Sequence, residues 1–124
     1  MSRTRVGGHR PVGLPALLFW SALAAVVLLS LTPVAHLPPQ AFDVWDKAQH
    51  AFGFAVLAFL GGAAYPARLS RAWVGLLLLG AAIELAQSAT GWRQGDVLDG
   101  LADAVGVSAG ALGWLSVRRC LKTG

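Results

Sequence analysis

Cysteine and charge are both scarce in this 124-residue chain, and each shortage removes a class of structure. Its one cysteine, Cys120, cannot close an internal disulfide and leaves no second thiolate for a metal centre built on sulfur. Charged residues make up only 13% of the chain, where a soluble domain carries about a quarter. The chain also lacks a GxSxG elbow, an HExxH helix and a glycine-rich phosphate loop. The familiar catalytic signatures are therefore missing, and enzymatic activity is left open.

What fills the chain instead is apolar. Hydrophobic residues account for 56% of it, and the mean hydropathy is +0.60. So few polar side chains could not cover a water-exposed surface, whereas a bilayer accepts an apolar exterior. Four segments approach the roughly 20 apolar residues needed to cross hydrocarbon: Leu14 to Leu31, Ala48 to Tyr65, Ala72 to Ala89 and Val97 to Val117. They are separated by TPVAHLPPQ, PARLSR and TGWRQGD, which carry breakers and charges. Backbone in lipid must pair its own polar groups, so all four segments are expected to be helices. The expected fold is an all-α membrane protein, a bundle of four transmembrane helices over residues 14–117 with basic tails at 1–13 and 118–124.

Basic residues set the expected orientation. Arg3, Arg5 and Arg10 precede the first segment, Arg68 and Arg71 lie between the second and third, and Arg118, Arg119 and Lys122 follow the fourth. Alternate loops share one sign, which predicts both termini in the cytoplasm and a multi-pass membrane protein. The pI of about 10.2 then follows from topology and attraction to anionic headgroups, with no nucleic-acid partner required. The first segment also has features of a signal peptide, with a basic start and small residues near Pro33 to Ala35. Its apolar run exceeds the usual run of about 7–15 residues, which favours a retained span.

On that topology the six acids, Asp43, Asp46, Glu84, Asp96, Asp99 and Asp103, all fall in the outer loops or in the outer halves of the second to fourth segments. His50 follows Asp46 by one turn, Gln87 follows Glu84 at i+3, and Asp99 and Asp103 stand at i and i+4, so each set shares a helix face. A charge facing lipid at a helix centre costs about 2.5–3.5 kcal/mol on insertion scales, so Glu84, Asp99 and Asp103 are expected to turn inward and find partners. His50, Lys47, Gln87 and Arg93 are the candidates on the same side. The reading assigns proton-moving roles to His50, Glu84, Asp99 and Asp103, and ligand-holding roles to Asp46, Lys47, Gln87 and Arg93.

The ordered set Asp46-Lys47-x-x-His50, Glu84-x-x-Gln87, then Arg93 followed by Asp99, Asp103, Gly106 and Gly110 resembles the VanZ-like family of bacterial membrane proteins. The resemblance runs from Asp46 to Gly110. It implies a small multi-span protein, and the founding member is associated with resistance to the glycopeptide teicoplanin. The family usually has Asn where this chain has Asp103, which adds a carboxyl within the membrane.

Simpler roles compete with these. Asp46 and Asp96 suit helix N-caps, Lys47 can snorkel to headgroups, Arg93 can anchor lipid phosphate, and His50 can be a structural hydrogen-bond partner. His9 and His36 lie outside the pattern. Gly106-x-x-x-Gly110, with Gly61 and Gly62, points to close helix packing. Trp45 and Trp92 suit one membrane interface and Trp73 and Trp114 the other, with Trp20 unplaced. Three function classes follow: binding or altering an envelope lipid or peptidoglycan-related headgroup, a small proton or ion pathway, and a polar lock in an assembly partner. No cofactor is indicated. A metal held by His50 with Glu84 and Asp99 is left open, because spacing along three helices does not fix ligand geometry.

Overall fold

The computed structural model describes residues 12–36, 44–91 and 96–124, and every regular element among them is helical. Helix α1 runs Leu14–Leu31, α2 Val44–Ala64, α3 Leu69–Thr90 and α4 Val97–Thr123, with a short 3-10 turn at Val34–His36. The basic tail at 1–13 lies outside the described residues up to Pro11, whereas most of 118–124 continues α4 as helix. Three helices, α1, α3 and α4, are long and apolar enough to cross a membrane. Helix α2 is not, because Asp46, Lys47, Gln49 and His50 occupy its first two turns.

Local chemistry explains the boundaries. Pro15 sits in the first turn of α1, where its missing N–H breaks no helical bond, and the helix stops at Leu31 before extended Thr32 and Pro33. Pro66 ends α2, and Arg68 N closes the following turn onto Tyr65 O at 2.9 Å. Gly91 closes α3 at φ 74°, a left-handed conformation that favours glycine. Asp96 caps α4 by accepting from Leu98 N at 2.9 Å. Asp46 does not cap α2: the helix starts at Val44, four residues ahead of the expected Ala48, and takes Asp46 and Lys47 into its first turn. The start was misplaced because hydropathy marks where apolar residues begin, and a helix can begin in a polar turn.

The arrangement is apolar outside as well as inside. Helix α1 is hydrophobic on every face, yet Leu17, Leu18, Trp20, Leu28 and Leu29 are exposed. Such a helix has no face suited to water. Helix α2 packs against each of the other three, most extensively against α4, and supplies the innermost core residues, Phe54, Leu57 and Ala58, all 0% exposed. Phe19, Leu76, Ile83 and Val107 complete that core.

Helices α2 and α4 run parallel. Gly106 lies on the carbonyl of Ala51 and Gly110 on that of Ala55, so closely that a Cβ at either glycine would collide with backbone. Small residues spaced four apart thus face each other on both helices, which lets the two backbones approach. Gly61 and Gly62 pack under the rings of Phe19 and Trp114.

Candidate functional site

The close approach of α2 and α4 determines what meets one turn nearer their N-termini. His50 Nδ1 donates to Asp103 Oδ1 at 2.9 Å, with the residues only 8% and 1% exposed. Helix α3 antiparallel to both brings Glu84 to the same cluster. His50 lies six residues from the start of α2, Asp103 six from the start of α4, and Glu84 six from the end of α3. At 1.5 Å per residue all three stand about 9 Å in from the same end of the bundle. Gly80, one turn before Glu84, makes the room: a Cβ there would lie 2.9 Å from Asp103 Oδ2.

Above this level sits a charged layer. Lys47 Nζ lies 3.2 Å from Asp99 Oδ1 and 3.3 Å from Asp96 Oδ2, joining the first turn of α2 to that of α4. Glu84 Oε2 accepts from Asp96 N at 2.7 Å, which ties the end of α3 to the start of α4. The hydrogen bond from Leu98 N holds the Asp96 carboxyl below its ordinary range, and the Lys47 ammonium adds to that effect.

Carboxyls outnumber cations in this region. Asp46, Glu84, Asp96, Asp99 and Asp103 face Lys47 as the one permanent cation of the cluster among the described residues. Glu84 Oε1 and Asp103 Oδ2 are buried with no hydrogen-bond partner among those residues. A buried carboxylate oxygen left bare is costly, so it indicates a group that something else must satisfy.

Seven of the eight expected site residues fall within the described structure, and six of them meet: Asp46, Lys47, His50, Glu84, Asp99 and Asp103. Gln87 goes elsewhere. It is buried and donates from Nε2 to Ser30 O at 2.8 Å, tying α3 to the C-terminal end of α1. Arg93, with Asp43 and Trp92, lies outside the described residues, as does His9. His36 is exposed in the 3-10 turn and is not among the residues that cluster. Sequence reasoning gave Asp96 only a capping role and missed its pairing with Lys47 and Glu84. It also missed Gly80, whose spacing of four from Glu84 was the available signal.

The opposite end of the bundle is built differently. A groove of about 400 Å³ opens between α1 and α3, lined by Phe19, Leu23, Leu76 and Leu79 and bordered by Arg68 and Arg71. Trp20 Nε1 donates to Tyr65 OH at 2.8 Å across its wall, while Trp73 Nε1 donates to Ala58 O at 3.0 Å. Trp73, placed by sequence at an interface, is thus used in a helix-to-helix contact, as is Trp20, which the sequence left unplaced.

Among the described residues these features define a helical protein with membrane-compatible helices and an internal polar cluster. No family model matches the chain, and neither a curated protein nor a solved structure does. The VanZ-like resemblance stands on the ordered residues alone.

Proposed function

We propose that the chain is a VanZ-like protein crossing the bacterial cytoplasmic membrane four times, with both termini in the cytoplasm. In this reading its acid-bearing end binds, and alters by proton transfer, an envelope lipid or peptidoglycan-related headgroup. Three helices qualify as spans on their own. Helix α2 packs against all three others, and Lys47 in its first turn is paired with Asp96 and Asp99, so that polar turn has partners that an isolated lipid-facing helix would lack. Arg68 and Arg71 stand at the end away from the acids, in keeping with basic residues on the cytoplasmic side.

One observation carries the functional reading: bare, buried carboxylate oxygens on Glu84 and Asp103 stand beside a buried imidazole, a group that can both give and take a proton. A cluster made only for packing would satisfy its own acceptors. Lys47 at the rim supplies a cation for a phosphate or carboxylate, and His50 with Glu84 supplies proton donors and acceptors beneath it. The associated phenotype is tolerance to a glycopeptide such as teicoplanin.

A second reading, a polar lock in an assembly partner, is favoured by the bonds that join helices pairwise, His50 to Asp103 and Gln87 to Ser30. Glu84→Gln separates the two. The amide keeps the shape and can still accept from Asp96 N, but it carries no charge and no transferable proton. Complementation of a deletion strain is expected to fail while membrane abundance and thermal stability in detergent stay near wild type. Full complementation at equal abundance would establish the lock and remove the headgroup reading.

A further inference from the structure

We propose that His50, Glu84 and Asp103 hold a divalent cation of the zinc or manganese class. The inference rests on reading the cluster as a binding site. One ligand atom from each of the three residues lies within 4.8 Å of the other two. The His50 Nδ1 to Asp103 Oδ1 separation, 2.9 Å, already equals an edge of a coordination polyhedron, since ligands at bonds of about 2.0–2.1 Å stand roughly 3 Å apart.

Two further observations point to a cation there. Glu84 Oε1 and Asp103 Oδ2 are buried without a partner among the described residues, and Asp103 is 1% exposed. Charge gives the second: with a neutral imidazole the three ligands carry two negative charges, which a divalent ion neutralises. The only permanent cation of the cluster among the described residues, Lys47, is engaged one layer above with Asp96 and Asp99.

A second group, Asp46, His50 and Asp99, shares the imidazole and also lies within 4.8 Å. The Lys47 ammonium 3.2 Å from Asp99 Oδ1 competes for that group, so the deeper one is favoured. The donor set selects the metal: imidazole suits zinc and iron, carboxylates suit manganese and magnesium, and a mixed set falls between. Three protein ligands leave a position for water or an oxygen of a headgroup. Coordination through Nδ1 takes the place of the proton shared with Asp103 Oδ1: a neutral imidazole then carries its one proton on Nε2, and an imidazolium releases one proton to solvent.

The test uses the full chain purified in detergent and stripped with EDTA. It is titrated with zinc chloride against a chromophoric chelator and, separately, with manganese chloride followed by electron paramagnetic resonance. One equivalent of zinc or manganese is expected to bind wild type. His50→Ala and Asp103→Asn are expected to weaken binding by more than roughly 100-fold, beyond the effect of groups that merely orient a ligand. His36→Ala, at an exposed histidine that belongs to neither ligand group, is expected to leave it unchanged. If His50→Ala does not fold, Asp103→Asn carries the comparison, because the amide can still accept from His50. Absence of stoichiometric binding of either metal, or unchanged binding by folded Asp103→Asn, overturns the proposal. Wild type without metal but with Glu84→Gln inactive removes the cation and leaves the headgroup reading. Metal binding with full complementation by Glu84→Gln keeps the cation and removes the headgroup reading.

Discussion

The two ends of the bundle handle charge in opposite ways. At the acid-bearing end the charges point inward, are shared among α2, α3 and α4, and bond across helices. At the other end Arg68 and Arg71 stay exposed at the rim of a groove whose walls are apolar. A long basic side chain can reach solvent or headgroups from a helix end, whereas a short carboxyl about 9 Å in cannot, and must be met by partners on its neighbours. The difference teaches where the fold is constrained: interior charge demands precise helix register, and rim charge does not.

The strongest way to break that contrast is to spread α2 from α4. Gly110→Leu places a side chain where even a Cβ meets the Ala55 carbonyl, and no rotamer change relieves a clash with backbone. Destabilisation is expected to exceed the roughly 1–3 kcal/mol usual for overpacking, because backbone and not a side chain must give way. Thermal unfolding in detergent should show it as a large drop in midpoint or as loss of folded protein; a wild-type midpoint would mean the two helices are not in this contact.

A smaller effect is expected from removing one member of the internal pair. Asp103→Ala leaves the buried His50 N–H without its acceptor, for which about 1–3 kcal/mol is typical, whereas Asp103→Asn retains an acceptor and should cost about 1 kcal/mol or less. Equal losses for Ala and Asn, measured by the same unfolding assay, would show that shape and not the hydrogen bond matters at this position.

The least effect belongs at the groove. A Cβ at Gly75 meets nothing within 4 Å, so Gly75→Ala should be neutral or stabilising by up to about 1 kcal/mol through helix propensity. A loss of more than that in the unfolding assay would show the groove to be as tightly specified as the acid-bearing end.

The sequence was most legible where punctuation coincides with a change in polarity. Leu14 and Leu31 bound α1 as expected, with Pro33 in the breaker segment just beyond its end, and α4 starts at Val97 behind its Asp96 cap. The start of α2 was displaced by its polar turn. The grouping of His50, Glu84, Asp99 and Asp103 was legible because buried charges must find one another, and spacing gave each helix's face. The partner of Gln87 was not, because it is the main-chain carbonyl of Ser30, and any residue there would present one. Ala51 and Ala55 escaped notice for a related reason: alanine is common enough that only the facing glycines give it meaning.

The pairing of His50 with Asp103 spans 53 residues of chain, and a ribosome makes it in that order. At about 5–20 residues per second, Asp103 is synthesised roughly 3–10 s after His50. During that interval the imidazole has no partner on α4, and its neutral form is the one that can wait in an apolar setting. Assembly of the acid-bearing end is therefore a late event in biogenesis, completed when the last helix arrives beside the second.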